Sequence, residues 1–237
     1  IIPYIYDIKM IKFQGEVTMK RIIKFISILL ISILIVIGET RGVQAIDKTP
    51  IDKTPIEVQQ YIDNQSFKEK EKLELEKAIQ IGQSSKMSRS SGSWSWQDGL
   101  ICVTDSATMG FVHGHAALIS VAPYYYATVE SNPGKGVEIR YGSWDRRFSN
   151  NHVWQVGVRD TSLSQDRNAA QWAVNKLGRS YNYNFFYTST RNSFYCSHLV
   201  WAAYLDTAGV DLDGNIPSII HPLELVTNGK TVTNYYH

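Results

Sequence analysis

Short apolar runs in the middle of the chain alternate with turn residues and predict a series of β-strands. The runs are rich in β-branched and aromatic side chains, and polar turns separate them, notably at Asn132-Pro133-Gly134. Because these runs follow one another closely, this part of the chain is expected to build a sheet. The predicted strands cover residues 99–104, 115–121, 125–130, 136–141 and 154–158.

Apolar positions at helical spacing come after the predicted strands. Residues 163–177 carry an alanine-rich stripe on one face, and Gly178 supplies a stop. A second helix is predicted from about Cys196 to Ala208 and ends at Gly209. Strands in the middle with helices behind them indicate an α+β domain.

The segment 46–92 predicts a linker followed by helices. Its tandem repeat contains two prolines, and Thr54 is positioned to cap a helix that runs, with a break near Asn64, to about residue 81. A Ser-rich stretch, 82–92, is expected to end this region. The charged run 68–77 is interpreted as a solvated helix face, and a prosegment covering an active site is the alternative.

The first 45 residues resemble a leader. Basic residues follow Met19, residues 25–37 are apolar, and Val43-Gln44-Ala45 offers small side chains for cleavage after Ala45. The apolar stretch is shorter than the roughly 20 residues of a membrane helix. We therefore expect a signal peptide at about 19–45, a secreted or cell-wall-associated protein, and no stable membrane span after cleavage; an uncleaved anchor is the alternative.

Composition narrows the possible chemistry. The chain has 237 residues and a formal net charge of +2, which gives no support to nucleic-acid binding. Its two cysteines exclude a disulfide framework and form no Cys-x-x-Cys pair, so any cysteine function is individual. All the tryptophans lie beyond residue 92, which places the packed domain at 93–237.

Cys196 is the candidate nucleophile because it begins the second predicted helix. Backbone N–H groups and the helix dipole favour a thiolate there, and the same N–H groups can stabilise an oxyanion. His115 heads an apolar strand and is the candidate base. Glu130, at the end of the next predicted strand, is placed to accept the far N–H of the imidazole.

Other interpretations of these residues stay open. Cys196 shares an apolar stripe typical of an inert core cysteine, and Glu130 fits a surface position at a strand end. His113 is an alternative base, or forms a metal pair with His115, although no further ligand stands at suitable spacing. No metal or cofactor is therefore expected. Cys102 is interpreted as a buried, unreactive thiol, with a disulfide to Cys196 not excluded.

Several motifs resemble the circularly permuted NlpC-type papain-like cysteine peptidases, the YiiX/YebB-like group. The resemblance covers about residues 96–225. It implies a papain-like fold with a central antiparallel sheet packed on helices, Cys196 as nucleophile, His115 as general base and Glu130 as the residue that orients His115. The motifs that carry it are residues 114–119, 129–131, 136–137, 177–183 and 194–201.

Together these features predict an exported cysteine hydrolase that cleaves an amide bond, with peptidoglycan stem peptides as the first substrate to test. Two alternatives remain. Relatives of this fold act on lipid acyl groups, which the tyrosine- and phenylalanine-rich segment 181–187 would suit. A non-catalytic binding module of the same fold is the other.

Overall fold

The computed structural model of the protein describes residues 55–87, 92–107, 114–214, 216 and 219–237. The predicted leader, the predicted helix cap Thr54 and the alternative base His113 lie outside these residues. Within them, no helix is both long and apolar enough to cross a membrane.

A six-stranded antiparallel sheet forms the centre of the structure. The strands of the described residues are β1 (Ile101–Thr104), β2 (His115–Ile119), β3 (Ala127–Asn132), β4 (Gly136–Tyr141), β5 (Val153–Val158), β6 (Ser180–Tyr181), β7 (Ser193–Phe194) and β8 (Thr231–Tyr236). The order in the large sheet is β4-β3-β2-β1-β5-β8. Strands β6 and β7 form a separate parallel pair, and β7 comes immediately before the helix that carries Cys196.

Every strand predicted from the sequence is present, and each of its ends lies within two residues of the prediction. The strand expected at 125–130 begins and ends two residues later, so Glu130 lies inside β3 rather than at its end. Three strands were not predicted: the two-residue strands β6 and β7, and the last strand, β8. The sequence of β8, TVTNYY, is half polar because β8 forms an edge of the sheet with one face partly open.

The helices agree closely with the pattern that predicted them. The helix predicted at 196–208 has those bounds, and Gly209 ends it with the left-handed φ of 69° that glycine adopts without strain. The helix expected to reach residue 177 stops at Val174. The helices are α1 (Pro55–Asp63), α2 (Gln65–Met87), α3 (Trp144–Arg147), α4 (Leu163–Val174), α5 (Cys196–Ala208) and α6 (Glu224–Thr227).

The sheet separates two apolar clusters. The larger cluster contains α5, whose residues 196–204 are all buried, as a helix at the centre of a domain requires. The smaller cluster lies on the opposite face of β1 and β2 and includes Trp144. Because a strand alternates its side chains between the two faces, Ala116 belongs to the first cluster and Ala117 to the second.

The helices α1 and α2 pack on the sheet domain rather than extending away from it. Phe67 and Ala78 belong to the larger apolar cluster, and Trp154 Nε1 donates a hydrogen bond to the carbonyl oxygen of Ala78 at 2.9 Å. The break predicted near Asn64 is confirmed. Two further expectations about this region were wrong, and each error has a physical cause.

The Ser-rich stretch was expected to end the helix at residue 82, but α2 continues to Met87. Gly82 has no side chain and therefore allows the helix to lie directly against the ring of Tyr236 in β8. The run 68–77 is also not uniformly solvated. Glu71 and Glu74 are buried, at 1% and 3% exposure, because they face the domain.

Candidate active site

The register between β2 and β3 brings His115 and Glu130 together. Ala117 pairs directly with Glu130, so His115, two residues earlier, is its diagonal neighbour on the same face of the sheet. Diagonal neighbours are within reach of long side chains. His115 Nε2 lies 2.9 Å from Glu130 Oε2, and both side chains are buried.

Cys196 is the first residue of α5 and follows β7 through Tyr195, the N-cap residue. The first N–H groups of an α-helix have no intrahelical carbonyl partner, so the sulfur stands beside backbone donors. Neither the thiol nor the ring of Tyr195 is exposed. The chain therefore delivers a buried thiol to a helix amino terminus, as the sequence predicted.

The structure also brings His115 to Cys196. Nδ1 of His115 meets no partner at full hydrogen-bond geometry among the described residues. Burial lowers the pKa of His115, but a side-chain hydrogen bond to Cys196, a second to Glu130 and the charges of both groups together raise it to about 9. A loose thiol–imidazole contact is common when no substrate is bound. All three residues singled out in the sequence thus converge.

The state of Glu130 fixes the tautomer of His115. Burial alone would raise the pKa of Glu130, but hydrogen bonding and charge, first from His115 and then from Arg147, hold it well below its usual range. An ionised carboxylate only accepts hydrogen bonds. Nε2 therefore donates to Glu130, and Nδ1 is the ring nitrogen left to exchange a proton with the sulfur of Cys196.

Two residues that the sequence analysis missed hold this pair in place. Arg147 contacts both carboxylate oxygens of Glu130, with Nη1–Oε1 at 2.5 Å and Nη2–Oε2 at 3.2 Å. The ring of Trp144 stacks on the imidazole of His115, with centroids 5.2 Å apart and planes 5° apart. Both residues belong to α3, which is too short to show a periodic pattern.

Polar neighbours from β3 complete the surroundings of Glu130. Thr128 Oγ1 donates to Oε1 at 2.5 Å, and Asn132 Nδ2 donates to Oε2 at 3.3 Å. The carboxylate accepts from these two side chains as well as from His115 and Arg147. Such complete hydrogen bonding is what allows a carboxylate with 0% exposure to remain charged.

The tyrosine-rich segment lies beside Cys196. Tyr181 in β6 pairs with Phe194 in β7, two residues before the thiol. Burial, followed by the negative charge of Cys196, raises the pKa of Tyr181. Tyr183 is 50% exposed, and its hydroxyl accepts a hydrogen bond from the backbone N–H of Gly134 at 3.0 Å. This segment presents aromatic rings near the site.

Cys102 lies in β1 on the same face of the sheet as His115, because it pairs directly with Ala117, two residues along β2 from His115. Both cysteines are free, so the disulfide left open by the sequence is not formed. Burial, opposed in part by a hydrogen bond from Gln155, raises the pKa of the Cys102 thiol. No cluster of three or more potential metal ligands occurs among the residues that the structure describes.

Comparison with known proteins shows what the chain is similar to. Residues 105–222 match the family described as permuted papain-like amidase enzyme, YaeF/YiiX, C92 family. The uncharacterized protein YycO of Bacillus subtilis (strain 168) is 37% identical over 141 residues. That alignment covers 57% of this chain and 54% of the relative, so the chain spans about half the length of the curated protein it matches.

A solved structure, that of the metalloprotein yiiX from Escherichia coli O157:H7, is similar with a TM-score of 0.45 and 18% identity, and the similarity covers 59% of this chain and 97% of the other. The family match confirms the permuted papain-like part of the resemblance seen in the sequence. The NlpC-type assignment stays a prediction.

Proposed function

Residues 105–222 belong to the permuted papain-like amidase family, and on that premise we propose that the protein is a cysteine hydrolase that cleaves an amide bond with Cys196, His115 and Glu130. One observation carries the proposal. His115 is bonded through one ring nitrogen to a buried, ionised glutamate and interacts with a thiol at a helix amino terminus. A carboxylate that orients an imidazole, and an imidazole that takes the thiol proton, together activate a sulfur nucleophile.

The first half of the reaction forms an acyl-enzyme. Nδ1 of His115 takes the thiol proton, and the Cys196 thiolate attacks the substrate carbonyl carbon. Backbone N–H groups in the first turn of α5 donate to the oxygen that becomes negative. The C–N bond then breaks, and the imidazolium returns its proton to the leaving amine.

The second half restores the enzyme. His115 removes a proton from water, the resulting hydroxide attacks the thioester, and the carboxylic acid product leaves as the sulfur regains its proton. Glu130 keeps its negative charge throughout. It stabilises the imidazolium in both halves and keeps the proton of Nε2 directed away from the sulfur.

The proposed substrate is an amide bond in a cell-wall peptide, encountered after export. Two observations support this choice: the leader-like sequence at 19–45, and the amidase description of the family. A peptide also suits the tyrosine-rich segment beside Cys196, because aromatic rings with polar tips pack against peptide groups and donate to their carbonyls.

The test is a comparison of Cys196→Ala with Cys102→Ala. Both variants remove a free, buried thiol. Cys196 begins a helix and shares a hydrogen bond with His115, whereas Cys102 lies within a strand and accepts from Gln155. Purified muropeptides and fatty-acyl esters are supplied side by side, and release of new amines or fatty acids is measured. We expect Cys102→Ala to release amines at the wild-type rate and Cys196→Ala to release none.

Equal activity of the two variants would reject the thiol mechanism. Fatty-acid release alone, abolished in Cys196→Ala, would retain the mechanism and replace the peptide by a lipid acyl group. Absence of any turnover, with no faster alkylation of Cys196 than of Cys102 by iodoacetamide, would identify a binding module.

A further inference from the structure

A buried acid–imidazole pair, which the mechanism above does not use, joins α2 to the loop before α6. Glu71 Oε1 lies 2.9 Å from His221 Nε2, and the two residues are 1% and 0% exposed. Nδ1 of His221 accepts from the backbone N–H of Leu223 at 3.3 Å. The hydrogen of this imidazole is therefore on Nε2, which donates to Glu71.

The residue before His221 holds both chain neighbours of the thiol. The backbone N–H of Ile220 donates to the hydroxyl of Tyr195 at 2.9 Å, and Ser197 Oγ donates to the carbonyl oxygen of Ile220 at 2.6 Å. Tyr195 precedes Cys196 and Ser197 follows it. The backbone position of the sulfur consequently depends on where Ile220 lies.

Helix α2 has a second buried anchor, to α6. Thr227 Oγ1 donates to Glu74 Oε2 at 2.5 Å, and Lys77 Nζ contacts the other oxygen of Glu74 at 2.6 Å. Thr227 is in α6, beyond the loop that carries Ile220. Glu224 of the same helix accepts from the backbone N–H of His221 at 3.3 Å. The Glu74 anchor therefore reaches the loop of Ile220 through the length of α6, whereas Glu71 reaches it directly through the imidazole of His221.

We propose that Glu71 is a positioning residue for Cys196, acting through His221 and Ile220; the proposal rests on the hydrolase function above. Glu71 lies outside the segment 105–222 that matches the family. Helix α2 is accordingly a required part of the catalytic unit of this chain, and not a prosegment whose removal would release activity.

The test measures kcat and KM of the whole protein on the amide substrate for four variants. Glu71→Ala should lower kcat about 10- to 100-fold, the effect of a small displacement of a reacting group, with KM nearly unchanged. Glu71→Gln keeps an oxygen acceptor for His221 and should recover most of kcat. Glu69→Ala, an exposed glutamate of the same helix, and Thr227→Val should keep the wild-type kcat.

Thermal unfolding separates positioning from attachment. Thr227→Val is expected to lower Tm without lowering kcat, whereas Glu71→Ala lowers both. Two outcomes for these variants would each overturn the inference. In the first, Glu71→Ala has the same kcat as the wild type or a higher one. In the second, Thr227→Val lowers kcat as much as Glu71→Ala does. If Glu71→Ala does not fold, Tyr195→Phe tests the same connection from its other end, and an unchanged kcat there overturns it.

The outcomes also distinguish this inference from the function on which it rests. A wild type no more active than Cys196→Ala overturns the hydrolase and the inference together. A fully active wild type with an equally active Glu71→Ala variant overturns only the positioning role.

Discussion

Replacement of Arg147 by alanine is the sharpest test of how the His115–Glu130 pair is held. The guanidinium contacts both oxygens of Glu130, at 2.5 Å and 3.2 Å. Removing it leaves a carboxylate of 0% exposure that still has hydrogen-bond partners in His115, Thr128 and Asn132. The buried negative charge is then no longer neutralised by a permanent cation.

The size of the effect follows from the burial of the two partners. Breaking a fully buried ion pair from one side costs about 3–5 kcal/mol, and an exposed pair contributes at most about 1 kcal/mol. The side chain of Glu130 is fully buried and that of Arg147 is 19% exposed. Because polar partners of Glu130 remain, we expect a loss of about 2–3 kcal/mol, at the lower end of the range for truncating a buried charge pair.

Equilibrium unfolding in urea at neutral pH measures the loss, and the chain supplies a matched control. Arg146 is the neighbouring residue of the same type and is exposed, so Arg146→Ala should change the free energy of unfolding by less than about 0.5 kcal/mol. Arg147→Lys keeps the positive charge but loses the bidentate contact with Glu130. Its free energy of unfolding should be intermediate between those of the wild type and Arg147→Ala. If both alanine variants unfold at the same urea concentration, Arg147 does not hold Glu130 and the argument fails.

Two further predictions concern His115 and Gly82. The pKa of His115 is raised from 6.5 to about 9. The contribution of His115 to stability is therefore complete below pH 6.5 and is lost as pH rises through about 9. The difference in urea midpoint between wild type and His115→Gln should shrink over that range, and a constant difference would contradict the prediction. Alanine normally stabilises a helix by about 1 kcal/mol over glycine. Gly82→Ala should nevertheless lower Tm, because a methyl group there overlaps the ring of Tyr236. When Tyr236 is also replaced by alanine, Gly82→Ala should raise Tm.

Local sequence signals were sufficient for α5 and for the thiol that begins it. The stop at Gly209 depends on the backbone of one residue, with φ of 69°, and glycine is the residue that adopts it freely. The apolar residues of α5 itself were enough to predict a buried helix, without knowledge of what packs against it. His115 was also identified from its own strand, because an imidazole at the head of a buried run is unusual in any fold.

The position of Glu130 could be predicted only in part from the sequence around it. Its strand was predicted, but its position inside β3 and its diagonal relation to His115 depend on how β2 and β3 pair. Register is a property of two strands, and a shift of one residue would turn Glu130 to the other face. The resemblance to a family, rather than the pattern of the strand, was what favoured this residue.

Arg147 and Glu71 could not have been found from the pattern. Arg147 lies in a helix of four residues, which is about one turn and shows no period. Glu71 lies in a run of alternating charges typical of a solvated face, and its partner His221 is 150 positions away. Only the folded chain distinguishes Glu71 from its exposed neighbours on the same helix.

The contact between Gly82 of α2 and Tyr236 of β8 has a consequence for how the molecule assembles. Among the described residues, α2 is the second element along the chain and β8 is the last, yet the two lie against each other. Contacts between distant positions slow folding, since a long loop must close before any of them forms. During synthesis the part of α2 around Gly82 therefore lacks the Tyr236 ring that covers it until β8 has been made, and it stays open to other contacts over that interval.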